Sequence, residues 1–279
     1  MPGVLSRLLP RYFRSDIPLV HVVRLHGAIG IGTPLRPALT LPSIAETLDR
    51  AFSRKGIAAV ALAINSPGGS AVQSSLIHDR IRALADENKV PVYSFCEDVA
   101  ASGGYWLACA GDEIFADASS IVGSIGVLAA GFGFVDAMKK IGIERRVHTA
   151  GDNKVILDPF QPEKPEDIER LRRIQTDVHD AFKTLVRYRR AGKLKADEAD
   201  LFSGAFWSGR QALELGLIDG IGHLRDVMRN KLGAKTELRV ISKPSRWGLR
   251  RLAFGGETDI GTNFIDAAET RALWARFGL

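Results

Sequence analysis

The sequence predicts an α/β fold in which repeated strand-helix units build a mainly parallel sheet, with one long amphipathic helix added. Three observations carry this. Residues 57–64 form an unbroken apolar run, as a strand covered on both faces does. Residues 71–88 place apolar side chains at 72, 76, 77, 81 and 84, the spacing of one helical face. Strand and helix signals then alternate along the first half of the chain at the rhythm of strand-helix-strand units.

The elements follow in order. Val20–Leu25 reads as a strand, Ser43–Lys55 as a helix and Ile57–Ile64 as the buried strand. After the turn Asn65-Ser-Pro-Gly-Gly69 come the helix 71–88 and a strand over Val90–Phe95. Tyr105–Ala110 reads as a short buried helix ended by Gly111, and a further strand lies near Ile114. The uncharged run Ala118–Val135 is barely long enough to span a bilayer. Its four glycines, three serines and flanking aspartates make it buried strand and turn segments instead. Phe134–Ile141 suggests a helix, Glu144–His148 a short strand and 149–155 a polar loop. Pro165 opens the long helix, with Glu166 and Asp167 in its first turn and Ile168, Leu171, Ile174 and Val178 along one side. That helix is predicted to run to about Arg190. Residues 202–220 read as strand, turn, helix and strand, and a last helix and strand close the domain near Ser242. The division is a basic N-terminal segment 1–17, a domain 18–242 and a tail 243–279 with an amphipathic helix over Phe264–Phe277.

At 279 residues, 46% hydrophobic and 25% charged, the chain has a globular composition and enough apolar residues for a substantial core. Its two cysteines, Cys96 and Cys109, sit in apolar surroundings without metal-ligand spacing, so no disulfide framework and no metal is expected. Buried free thiols fit a reducing compartment, and a cytoplasmic location is expected. Arg7, Arg11 and Pro10 interrupt the apolar N-terminal stretch, so neither a secretory signal nor an anchor is read there. The net charge of +6 is concentrated at the ends and in the long helix, which suits peripheral contact with an anionic membrane surface through 5–13 or the tail. No basic stretch carries interleaved aromatics, so nucleic acid is not expected as a partner.

One hydroxyl stands out. In Val99-Ala-Ala-Ser-Gly-Gly-Tyr-Trp106, Ser102 follows an apolar strand and begins a helix, where free N–H groups and the helix dipole favour negative charge. The plain alternative is an ordinary helix N-cap. Gly69, in the turn after the preceding strand, faces Gly103 in this reading, and their two N–H groups can hold an oxyanion. A phosphate cradle is excluded because no GK[ST] or GxGxxG follows either turn.

Four stretches in order, Asn65-Ser-Pro-Gly-Gly69, Ala101-Ser-Gly-Gly-Tyr105, Val122-Gly-Ser-Ile-Gly-Val127 and the run from Phe206-Trp-Ser-Gly-Arg210 to Asp219, resemble the successive signatures of the bacterial signal peptide peptidase A (protease IV) and SohB family. The resemblance covers roughly residues 18–242. It implies a Clp-protease or crotonase-like fold and a serine endopeptidase with a Ser-Lys dyad, needing no cofactor. Carried over by position, the nucleophile is Ser102, the base is Lys154 in Gly151-Asp-Asn-Lys-Val155, and Ser124 orients the lysine amine. Gly69 and Gly103 form the oxyanion hole, while Gly68, Gly104 and Ile125 are expected to line a groove for extended peptides such as remnant signal peptides or membrane-protein segments. A lysine base must be neutral, against an ordinary pKa of ~10.4, which calls for desolvation. Asp152 and Asp158 are therefore expected to point away from it. The resemblance further implies a ring-like homo-oligomer with sites near subunit interfaces, where a neighbour can donate the lysine.

Three rivals remain at this point. His148 with Asp152 can serve a histidine-based triad, with His26 as a site wall. Glu97 and Glu113 are the carboxylates available to an acyl-CoA enzyme of crotonase type. A non-catalytic scaffold would bind peptides through the basic helix and tail.

Overall fold

The computed structural model describes residues 17–32, 38–151, 153–242 and 271–278. The basic segment 1–16, Asp152 and most of the tail lie outside the described residues. The elements in chain order are β1 (Leu19–His26), α1 (Leu41–Phe52), β2 (Ala59–Ser66), α2 (Ala71–Asn88), β3 (Val92–Ala101), α3 (Gly103–Ala108), β4 (Glu113–Ala116) and β5 (Ile121–Gly123). There follow α4 (Val135–Ile141), α5 (Pro165–Arg189), α6 (Glu198–Leu201), β6 (Phe206–Ser208), α7 (Gly209–Glu214), β7 (Gly220–Ile221), α8 (Leu224–Leu232) and β8 (Glu237–Val240).

Eight strands form one sheet in the order β6-β5-β3-β2-β1-β8, with β4 branching from β3 to β7. Every pairing is parallel except β5 with β6. The α/β class with a mainly parallel sheet is therefore the fold observed. Side chains alternate across the strands. Val23, Leu25, Leu62 and Ile64 face α1, α2 and α3 in the main core, while Val20, Val22, Ala61 and Ala63 face the other way with Phe95 and Phe115. Met228 of α8 covers that second face and is fully buried, worth ~1.5–3 kcal/mol.

Local chemistry sets the boundaries. Thr40 and Ser43 make a capping box that starts α1 two residues before the predicted Ser43. Lys89 in the left-handed region ends α2. β3 extends beyond the predicted Phe95 to Ala101, because it first pairs with β4 and then, past an irregularity in its register with β2, with β5. Arg190, 2% exposed, ties the end of α5 to β4: it donates to Asp219 at 2.6 Å, and Asp219 accepts from Lys193 and from the Ile114 N–H, each at 2.8 Å.

Two predicted segments differ. The run 118–135 is buried only as far as Ile125, and residues 127–134 are exposed. Residues 144–148 are not a strand. Their charges are taken up locally instead, Arg145 with Asp158 at 2.8 Å and Arg146 with Glu144 at 2.7 Å, and no sheet edge receives them. In the tail, residues 271–275 are helical, matching the described end of the predicted 264–277 helix. Among the described residues no helix is long and apolar enough to cross a membrane.

Candidate active site

The site forms where β3 turns into α3. Ser102 has φ 52° and ψ −120°, a region a residue with a Cβ enters only when its surroundings hold it there. They do. Its N–H donates to the Gly123 carbonyl at 2.8 Å, and its carbonyl accepts from the N–H groups of Tyr105 and Trp106 at 3.0 Å each. Ser102 holds the N-cap position of α3, but its hydroxyl makes no capping bond. It lines, half-buried, a cleft of about 240 Å³.

The pairing of Ala101 with Gly123 places Ser124 beside Ser102 at the ends of neighbouring parallel strands, where strands lie ~4.8 Å apart. Ser124 is 5% exposed and also has positive φ, 53°, held by its N–H bond to the Ala205 carbonyl at 2.7 Å. Two strained serines thus share one corner of the sheet.

The second wall is the turn after β2. Ser66 Oγ donates to the Gly27 carbonyl at 2.7 Å and accepts from the Gly68 N–H at 3.2 Å. Gly68 is buried with φ 101°, and a Cβ there would stand 2.7 Å from Ser102 Cβ. Only glycine lets the turn press against the serine. Gly69 bridges to Ile29 and lines the cleft with Gly103. Among the described residues neither the Gly69 nor the Gly103 N–H has an acceptor, and Gly103 supplies a free first-turn donor of α3.

None of the three predicted groove residues lines the cleft. Gly68, Gly104 and Ile125 are buried outside its lining; Gly104 packs under Ser66, and the Ile125 carbonyl lies 3.1 Å from His179 Nε2. The walls are instead Val127, Leu128, Trp106 and the α5 residues Val178 and Phe182, with Trp106 stacked on Phe182 at 4.7 Å. Leu273 and Arg276 of the C-terminal segment complete them. Sequence reading placed Val178 on the apolar stripe of the long helix, but no local pattern said that this stripe meets the serine.

Lys154 lies elsewhere. It sits exposed on a turn, its N–H on the Gly151 carbonyl at 3.2 Å, and is absent from the cleft lining. Asp158 is engaged by Arg145 and by the Phe160 N–H. Asp152, the other carboxylate of that loop, lies outside the described residues. The rival groups are no nearer. His148 is exposed, Glu97 binds His26 at 2.9 Å, Glu113 binds Lys231 at 2.7 Å, and none of them lines the cleft. The hydrogen bond from His26 holds the Glu97 carboxyl below its usual range. His26 is thus not a wall of this cleft. Burial pushes the Cys109 thiol up to about 12 and the Cys96 thiol higher, so neither competes as a nucleophile. Among the described residues no cluster fits a metal ion.

A strained serine beside unoccupied N–H donors, in an apolar cleft at the carboxyl ends of parallel strands, is suited to acyl transfer through a serine hydroxyl. Comparison with known proteins gives the family. The profile of peptidase family S49 matches residues 84–237, and that of Clp protease matches 40–122. The chain belongs to peptidase family S49, a family of serine-type peptidases, as the signal peptide peptidase resemblance implied. It is 54% identical over its whole length to a protein of Brucella abortus named "Na(+)/H(+) antiporter NhaA", of which it covers 39%. It is 33% identical over 80% of its length to "Protease 4" of Haemophilus influenzae, covering 36% of that protein. It therefore spans about two fifths of the length of these relatives. Its fold matches a lysine-to-alanine mutant of the 1510-N membrane-bound stomatin-specific protease, solved in complex with a substrate peptide, with a TM-score of 0.50 at 16% identity, over 90% of this chain and 99% of that one.

Proposed function

We propose that this chain is a serine endopeptidase that cleaves extended apolar peptides, with Ser102 as nucleophile and Lys154 as general base. The observation that carries the reading is the Ser102 corner, where a strained, uncapped hydroxyl and the open Gly69 and Gly103 N–H groups share one cleft. Ser102 Oγ attacks the scissile carbonyl while its proton passes to neutral Lys154 Nζ, and the two N–H groups receive the oxyanion. The lysine then protonates the leaving amine. Water, deprotonated by the Lys154 amine, attacks the acyl-serine ester; the bond from the acyl carbon to Ser102 Oγ breaks, the proton passes from Lys154 to that oxygen, and the acid is released. Ser124, next to Ser102, orients the lysine amine.

A second copy of the chain supplies what Lys154 lacks, in a homo-oligomer with its sites near subunit interfaces. The stretch around it leaves Leu128, Phe132, Ile141 and Ile143 uncovered, Phe132 with 82% of its surface in solvent, which suits a face buried against a neighbour. Burial there would desolvate the amine and favour its neutral form. The substrates are remnant signal peptides or membrane-protein segments, matching the apolar walls of the cleft. The Brucella relative bears a transporter's name, which supports work beside a membrane; the cytoplasmic side and peripheral contact are part of the proposal and rest on the basic ends of the chain.

Mixing the inactive Ser102→Ala and Lys154→Ala proteins tests the base and the interface together. Recovered cleavage of an apolar peptide is expected. No recovery, with each variant assembled like the wild type, would show that the lysine does not cross between subunits.

A further inference from the structure

The C-terminal segment enters the cleft of the chain that carries it. Leu273 and Arg276 line the same cavity as Ser102 and Gly103. The anchor lies one turn further on. Phe277, 8% exposed, packs with Trp274 against Val99, Ala101 and Ile121, the strand residues that lead into the Ser102 corner, and meets the Phe206 ring edge-on at 5.2 Å. With this wall in place the cleft holds about 240 Å³, below the ~300 Å³ at which sites for small ligands begin, and an extended peptide needs more. Ser102 itself stays half-exposed.

We propose that residues 271–278 are a self-inhibitory strap: Phe277 and Trp274 clip it to β3 and β5, Leu273 occupies apolar space meant for a substrate side chain, and substrate must displace it. The inference rests on the peptidase reading and adds its regulation. The strap is a competitor within the chain, so its effect scales with the size of the incoming molecule. A methyl-sized probe reaches the half-exposed serine past it, whereas a peptide does not.

The test compares two probes on the full chain: a small alkyl fluorophosphonate and a tripeptidyl phosphonate with apolar side chains. Both are followed by the rate of Ser102 modification in the wild type, in Phe277→Asp and in the milder Trp274→Ala. Removing the Phe277 anchor is expected to raise the peptidyl rate about tenfold, in line with the burial of one aromatic side chain, and to leave the small-probe rate unchanged. Trp274→Ala is expected to give a smaller gain in the same direction. Equal peptidyl rates in all three proteins, with the serine labelled, would overturn the strap and leave the peptidase reading standing. A fall in both probe rates in both variants would show that the segment supports the corner instead, and this too overturns the strap. Absence of labelling by either probe in every protein would remove the peptidase reading, and the strap with it.

Discussion

The Ser102 corner and the stretch from Val127 to Lys164 are neighbours in sequence and opposites in construction. At the corner, backbone groups are held in place by hydrogen bonds. The Ser102 N–H is bound by the Gly123 carbonyl, the Ser124 N–H by the Ala205 carbonyl and the Gly68 N–H by the Ser66 hydroxyl. In the following stretch Leu128, Phe132, Ile141 and Ile143 stand in solvent, and local ion pairs such as Arg145 with Asp158 replace a core. The contrast separates what a single chain builds from what it leaves unfinished. Ser102 and the Gly69 and Gly103 N–H groups, the proposed nucleophile and oxyanion donors, are positioned by its own sheet, whereas the proposed base stands on an exposed surface that a second molecule covers in the proposed oligomer.

Substitutions separate the two halves. The largest effect is expected for Ser102→Ala, a loss of about 10⁴-fold or more in peptide cleavage, read by product formation under saturating peptide. Lys154→Ala is expected to cost about 10²–10⁴-fold in cleavage with a change in unfolding free energy within about 0.5 kcal/mol, since the side chain is exposed. A large stability loss there would mean that the turn is part of the core after all. Asp219→Ala is expected to lose ~3–5 kcal/mol in chemical denaturation, because it leaves Arg190 buried without its carboxylate. Gly68→Ala is expected to lose ~1–3 kcal/mol and to slow Ser102 labelling, because the added Cβ meets Ser102 Cβ.

The smallest effect is a pH dependence. Burial raises the Asp219 carboxyl, but hydrogen bonds from Arg190, Lys193 and the Ile114 N–H outweigh it, so its folded pKa lies below the ordinary value. A depressed carboxylate stabilises the fold above its unfolded pKa, ~3.9, and loses that contribution as pH falls through the folded value. Urea midpoints measured from about pH 5 down to about pH 2 should therefore fall in the wild type, with a shallower slope in Asp219→Asn.

Much of this was legible in the sequence because it is written locally. The α2 range 71–88 follows from periodicity, and the start of α5 follows from Pro165 with two acids in its first turn. Ser102 stands out through its strand-to-helix setting, and the four ordered motifs suggest the role proposed for it. What stayed hidden is long-range. That β3 continues to Ala101 depends on β5 arriving as a new partner. That Phe182 and Leu273 wall the cleft depends on where a helix and a C-terminal segment pack, and neither carries a motif. Residues 144–148 mislead because strand-like composition makes no strand unless the segment pairs with the sheet, and this one does not.

Whether Ser102 is a nucleophile that depends on Lys154 is decided by mass-spectrometric mapping of a fluorophosphonate adduct on the full chain, in the wild type beside Lys154→Ala. A single adduct on the Ser102 oxygen is expected, formed about a hundredfold or more slowly without Lys154. An adduct on another residue, or an unmodified Ser102 in protein that still cleaves an apolar peptide, would contradict that assignment.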